Sequence, residues 1–189
     1  MKKYPVKSGR RYPPGAKVFD EGVNFSIFSR QATAMHLLLY SDPQSTEPFQ
    51  VVTLDPHENR TFFFWHVFVE GLPPGVCYTW RADGPDDTSI SGCRFDPDKE
   101  LLDPWAKTVV DNLWDRRRTC LPGPSNGRSM RAVVVKDDYD WEGDTTLQHK
   151  PEQTVIYELH VGGFTSHRSS KVSCPGTYAG VIEKIPYLK

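Results

Sequence analysis

TFFFWHVFVEGLPPGVCYTWRAD, residues 61–83, holds two period-two runs joined by a turn signal. Leu72-Pro73-Pro74-Gly75 is the turn, because proline presets φ and glycine takes the positive φ that other residues avoid. After it, Tyr78, Trp80 and Ala82 alternate with Thr79, Arg81 and Asp83, which suits a strand with one face on a core. Before it, Phe62, Phe64 and Phe68 fall on one side, and Phe63, Trp65, Val67 and Val69 on the other. Thr61 to Val69 is therefore expected as one continuous strand that needs cover on both faces. Outward from this stretch the same period recurs. Val23, Phe25 and Ile27 alternate with Asn24 and Ser26, so one face of that strand is expected on the core. Met35, Leu37 and Leu39 alternate with His36, Leu38 and Tyr40, and Ala132 to Val135 makes a further strand. Short β-branched and aromatic segments punctuated by Gly, Pro and Asp predict a mainly β chain. The fold class is an immunoglobulin-like antiparallel β-sandwich over residues 1–148.

Between the strands, Asp96 to Val110 carries Pro97 and Pro104, so a turn, a short helical turn and an extended segment are expected. Arg116-Arg117-Arg118 reads as a solvated turn beside Asp111 and Asp115. Trp141 to Gln153 is polar and aperiodic, a linker with the domain boundary near 148. Residues 149–189 then change character. Thr154 to Val161 (TVIYELHV) reads as a strand ended by Gly162-Gly163. Thr177 is placed as the N-cap of a helix bearing Tyr178, Val181, Ile182, Ile185 and Leu188, kinked or restarted at Pro186. A strand followed by a helix is half of a βαβ crossover. The sequence stops at Lys189 within this apolar pattern, so the unit reads as truncated.

The 189 residues carry Lys+Arg 23 against Asp+Glu 24, a net charge of -1, with the basic residues scattered apart from the arginine triplet. No nucleic acid partner is expected, since that interaction rests on a basic patch. No apolar run reaches the roughly 20 residues of a membrane span, so no membrane partner is expected. The start MKKYPVKSGRRYPPG lacks the apolar core of a signal peptide, and a cytoplasmic location is expected. Cys77, Cys93, Cys120 and Cys174 are irregularly spaced and read as free thiols. Neither a metal nor a cofactor is expected.

Several segments in order resemble glycogen debranching enzymes of the isoamylase type: YPPGA at 12–16, GVNFSIFS at 22–29, GLPPGVCYTWRADGP at 71–85, RFDPDKELLDPWAKTV at 94–109, VIYELHVGGFT at 155–165 and PGTYAGVIEKIPYLK at 175–189. The resemblance implies a module like the family 48 carbohydrate-binding modules. It is followed by a truncated first βα unit of an α-amylase-type (β/α)8 barrel. It implies an N-terminal portion of an enzyme hydrolysing α-1,6-glucosidic branch points in glycogen or limit dextrins. The family's nucleophile, acid/base and stabilising carboxylates lie on later barrel strands that match nothing here, so no catalytic residue is assigned. The implied partners are an α-glucan, met through the full-length enzyme, and the missing catalytic barrel.

A retaining glycosidase needs two carboxyl groups about 5 Å apart, gathered from several strand ends. Glu158 and His160 share a face of the expected strand, yet alternate residues do so in every strand; buried polar contacts in the finished barrel are the reading for both. Trp65 and Trp80 are expected in core or interface packing. Glycogen-binding members of the module family carry a tryptophan pair. Here the corresponding segments read Tyr40-Ser41-Asp42-Pro43 and Asp83-Gly84-Pro85-Asp86, so no carbohydrate-binding residue is assigned. The two-sided run at 62–69 suggests that one sheet docks on the barrel. Alternatives are a stand-alone glucan-binding or interaction module, or the N-terminus of a branching enzyme or maltooligosyltrehalose trehalohydrolase. The residues beyond 154 favour an enzyme over a free module, and the segments at 94–109 and 176–189 favour debranching.

Overall fold

The computed structural model describes residues 3–125 and 127–189, which form two compact units divided between Tyr139 and Asp140. In the first unit the strands are β1 (Val6–Ser8), β2 (Gly15–Phe19), β3 (Gly22–Phe28), β4 (Ala34–Tyr40), β5 (Gln50–Thr53), β6 (Arg60–Thr61), β7 (Phe64–Glu70), β8 (Cys77–Asp83), β9 (Val109–Val110) and β10 (Arg131–Val133). They form two five-stranded sheets. The first runs β1-β7-β3-β2, with β6 also on β7; the second runs β5-β4-β8-β10-β9. Every pairing is antiparallel.

The alternation that marks the strands also selects the core. Val23, Phe25 and Ile27 of β3 and Trp65, Val67 and Val69 of β7 face Met35, Leu37 and Leu39 of β4 and Tyr78, Trp80 and Ala82 of β8 in one buried cluster. Phe25 ties the sheets together, its ring edge-on to Tyr78 at 5.0 Å and to Trp80 at 6.4 Å. Trp65 and Trp80 are wholly buried, as expected, and truncating either to alanine would cost about 3–5 kcal/mol. On the outer face of the second sheet, Leu38, Tyr40 and Cys77 make a smaller cluster.

The expected single strand at 61–69 is instead a hairpin. β6 pairs Arg60 with Trp65 and Thr61 with Phe64, leaving Phe62 and Phe63 as the turn. Phe62 takes a positive φ of 55°. Apolar patterning cannot register such a turn, because hairpin turns normally announce themselves by Gly, Asn or Asp. The two-sided pattern survives in β7, with Trp65, Val67 and Val69 in the core and Phe64 and Phe68 on the opposite face against Phe28 and Phe19.

β3, expected to turn one face to the core, is buried on both faces from Gly22 to Ile27. Its polar residues are covered by the chain after β1. Asn24 Oδ1 accepts from the Arg10 amide at 2.7 Å, Asn24 Nδ2 donates to the Arg10 carbonyl at 2.9 Å, and Ser26 Oγ donates to the Arg11 carbonyl at 2.7 Å. Gly9 permits this approach: a Cβ there would lie 2.7 Å from Asn24 Oδ1 and from the Val67 backbone. Gly9-Arg10-Arg11 is thus a strap over the first sheet.

The sandwich is also stitched at its sides. The Gln50 amide on β5 accepts from the Tyr4 N–H at 2.7 Å and donates to the Tyr4 carbonyl at 2.8 Å, just before β1 begins. Opposite, Gly15 of β2 abuts Trp105, whose Cβ and carbonyl oxygen would lie 3.0 Å from a side chain placed there. Residues 96–110 contain turns but no helical turn, and Leu101 exchanges backbone hydrogen bonds with Trp80 at 2.7 and 2.9 Å. The arginine triplet is α1 (Arg116–Thr119), not a bare turn, because the Asp115 side chain caps the Arg118 amide. All four cysteines are free thiols.

In the second unit the expected strand at 154–161 forms no ladder among the described residues. Thr154 at φ −92°, ψ 125° and His160 at φ −93°, ψ 114° keep extended backbone, Val161 already belongs to a helix, and Val155 is 94% exposed. An isolated strand has no partner for its peptide groups, so propensity yields conformation without pairing. Gly162-Gly163, read as a strand end, lie inside α2 (Val161–Ser166). Thr177 caps α3 (Tyr178–Ile182) by accepting from the Gly180 amide at 3.2 Å, as expected. After a break the chain restarts as α4 (Ile185–Leu188), with Pro186 in its first turn. Thr165, wholly buried, accepts from the Gly176 amide at 2.8 Å and joins α2 to the loop before α3.

Candidate functional site

The outer face of the first sheet carries a cleft of about 370 Å³ between the strap and strands β2, β3 and β7. Strand register builds it. Lys7 lies opposite Phe68, Phe68 opposite Asn24, and Phe19 opposite Gly22, which adds no side chain to this face. The rings of Phe19 and Phe68 meet there at 6.2 Å, tilted by 44°. Lys7 Nζ stands 4.8 Å above the Phe68 ring and 2.6 Å from the Glu70 carboxylate, and the Arg10 guanidinium lies 6.0 Å above Phe19. Ser8 and Glu21 complete the rim. The result is an apolar floor with charged walls, a shape suited to a small molecule having one apolar face and polar edges.

At the other end of the same face, Phe28 packs edge-on to Phe63 at 6.0 Å and to Phe64 at 5.3 Å. The guanidinium groups of Arg11 and Arg30 lie 5.7 Å above Phe62 and Phe63 respectively. Consecutive strap residues thus cover separate aromatic clusters, Arg10 on Phe19 and Arg11 on Phe62. Phe62 is 76% exposed. Beneath it, Arg60 stacks on Trp65 at 5.0 Å and donates to the Phe62 carbonyl at 3.0 Å, bracing the turn.

The buried carboxylates serve the second sheet. Glu100 accepts from the Tyr40 hydroxyl at 2.6 Å and from Thr79 at 3.1 Å. Asp103 accepts from the Tyr78 hydroxyl at 3.0 Å, the Trp80 indole at 3.3 Å and the Trp105 amide at 2.8 Å. Burial raises the Asp103 carboxyl above its ordinary range, opposed by those hydrogen bonds. Burial and the adjacent carboxylates push both tyrosine hydroxyls up, so Tyr40 and Tyr78 stay neutral donors. Arg131, buried against Tyr40 with its guanidinium 3.6 Å from the ring, donates to the Asp42 carbonyl at 3.3 Å. These groups anchor the chain, and both buried carboxyls are taken up by hydrogen bonds within the sandwich.

Glu158 and His160 are exposed, and their segment has no ladder neighbours among the described residues; the buried contacts expected for them concern the finished barrel. His160 Nδ1 accepts from the Gly163 amide at 2.9 Å and caps α2. The segments at 40–43 and 83–86 lie at opposite ends of the β4–β8 pair, where Tyr40 faces Cys77 and Ala34 faces Asp83. Asp42 is held low by hydrogen bonds from Ser45 and Ser41 within its own turn. Among the described residues no group of His, Cys, Asp and Glu could hold a metal ion, and no helix is long and apolar enough to cross a membrane. Sequence reasoning missed the cleft. Phe68 was visible as an alternating residue, but nothing local marks Lys7, Arg10 and Phe19 as its neighbours.

Residues 13–106 match the model of carbohydrate-binding module 48, described as the isoamylase N-terminal domain. Isoamylase 1, chloroplastic, of Oryza sativa subsp. japonica is 39% identical over 97% of this chain and 23% of that protein. The glycogen debranching enzyme of Dickeya chrysanthemi is 34% identical over 94% of this chain and 27% of its own length. The chain therefore spans about a quarter of the length of the curated relatives it matches. Among solved structures, a pullulanase from Group B Streptococcus superposes with a TM-score of 0.68 at 21% identity, covering 96% of this chain and 23% of that one. At that identity the likeness concerns the fold.

Proposed function

Because residues 13–106 belong to carbohydrate-binding module 48, the isoamylase N-terminal domain, we propose that the chain is the N-terminal part of an enzyme hydrolysing α-1,6-glucosidic branch linkages in glycogen or limit dextrins. The observation that carries the reading is the reach of the similarity. It runs over 97% of the chain in the rice isoamylase, so it includes residues beyond the module and its match. A stand-alone binding module gives no account of residues 154–189. The proposal assigns the sandwich no chemical step, since its buried Glu100 and Asp103 are committed to Tyr40, Thr79, Tyr78 and Trp80. The location proposed is cytoplasmic; free thiols at all four cysteines suit a reducing compartment.

Reducing-sugar release from limit dextrin tests the reading, with the gene's complete product and the 189-residue chain assayed side by side. Release of linear maltooligosaccharides by the complete product and none by the 189 residues is expected. New α-1,6 branches made by the complete product would identify a branching enzyme instead.

A further inference from the structure

We propose that the cleft under the strap is a carbohydrate subsite that takes one pyranose ring of an α-glucan on Phe19 and Phe68. The α-glucan class rests on the function proposed above; the ring and its seat rest on the cleft itself. A pyranose has an apolar C–H face and a hydroxylated edge, and the cleft matches both. Its floor is the Phe19–Phe68 pair, 6.2 Å between centroids, and its rim carries donors on Lys7 and Arg10 and an acceptor on Glu21. Its volume, about 370 Å³, lies at the small end of the range for small-molecule sites, which starts near 300 Å³.

Charge decides against other ligands. Lys7 and Arg10 are balanced by Glu21 and Glu70, and Lys7 is already paired with Glu70 at 2.6 Å. A phosphate or an acidic peptide would meet those carboxylates, whereas a neutral polyol uses both signs. The aromatic cluster at Phe62 lacks this balance, since Arg11, Arg30 and Arg60 surround it and no carboxylate pairs with them among the described residues. The strap also prepares the seat. Asn24 fixes the Arg10 backbone from both sides, so the cleft wall stands before a ligand arrives. Lys7 and Arg10 lie over the rings at 4.8 and 6.0 Å, so a sugar seated there exchanges these cation contacts for its own C–H face and brings its hydroxyls within their reach.

Titrating the 15N-labelled 189-residue chain with maltotriose tests this. Saturable amide shifts are expected at Ser8, Gly9, Arg10 and Phe68, in the millimolar range because the site is open. Phe19→Leu keeps an apolar side chain on β2 but removes the ring face, and it should weaken binding about threefold or more. Phe68→Leu is the second variant should the first perturb β2. Lack of saturable shifts, shifts centred on Phe62 and Phe63, or unchanged affinity in both leucine variants would overturn the proposal. So would equal affinity for sorbitol, which has no ring, or tighter binding of cellotriose. A complete gene product that debranches limit dextrin while the cleft stays silent sinks the subsite and leaves the proposed function standing.

Discussion

Asn24 and Arg10 hold each other in both directions, the side-chain amide of one closing on the peptide N–H and carbonyl of the other at 2.7 and 2.9 Å. The pairing imitates a β-ladder with a side chain, and it turns the polar face of β3 into a buried one.

Asn24→Ala is expected to lower the unfolding free energy by about 1–3 kcal/mol, because it strips partners from a buried segment. Urea denaturation measures the loss. Hydrogen exchange at the Arg10 amide should accelerate while exchange in β4 and β8 changes little.

Phe62→Gly is expected to leave the protein at least as stable as the parent, with a gain of about 0.5–1 kcal/mol. The positive φ of 55° disfavours phenylalanine and suits glycine. A clear fall in the denaturation midpoint would mean that the Arg11 contact outweighs the backbone term.

His66 is buried, its Nε2 lies 2.8 Å from Thr61 Oγ1, and its Nδ1 has no partner among the described residues. Burial lowers its pKa from the ordinary 6.5. Below 6.5 the unfolded chain therefore binds more protons than the folded one, and stability declines as pH falls from 6.5 towards the depressed value. His36 shifts the same way, lowered by burial and then by Arg81. Unfolding at pH 7.5 and 5.5 should show the loss, and His66→Gln should flatten it without abolishing it.

Asp103→Ala leaves the Tyr78 hydroxyl, the Trp80 indole and the Trp105 amide without their acceptor. A loss of about 2 kcal/mol or more is expected, even though the substitution removes a carboxyl that burial makes costly to ionise. Thermal unfolding reads this directly, and quenching of the core tryptophans should change with it.

The inward faces of β3, β4, β7 and β8 were legible because a half-buried strand stamps its period on the residues themselves. Burial of both Trp65 and Trp80 followed from the same pattern. The turn at Phe62–Phe63 was illegible because its residues look like strand and its conformation is imposed by Arg60 and the flanking pairs. The cover over Asn24 and Ser26 was hidden for another reason: it comes from Arg10 and Arg11, more than a dozen positions away. The cleft inherits that difficulty, being assembled from strands that meet only after folding. At 154–161 the strand expected from propensity does not form among the described residues, because pairing is a property of neighbours and no local sequence contains it.

The clasp between Tyr4 and Gln50 has a consequence for how these molecules behave in a crowd. It draws the β1 border of one sheet and the β5 border of the other together, while Trp105 against Gly15 guards the β2 border on the opposite side. Strand borders are where one chain can template another, so closing them works as a safeguard against runaway polymerisation during synthesis and storage. Removal of the first five residues, which include Tyr4, would unfasten that side and convert a self-contained sandwich into a sticky one.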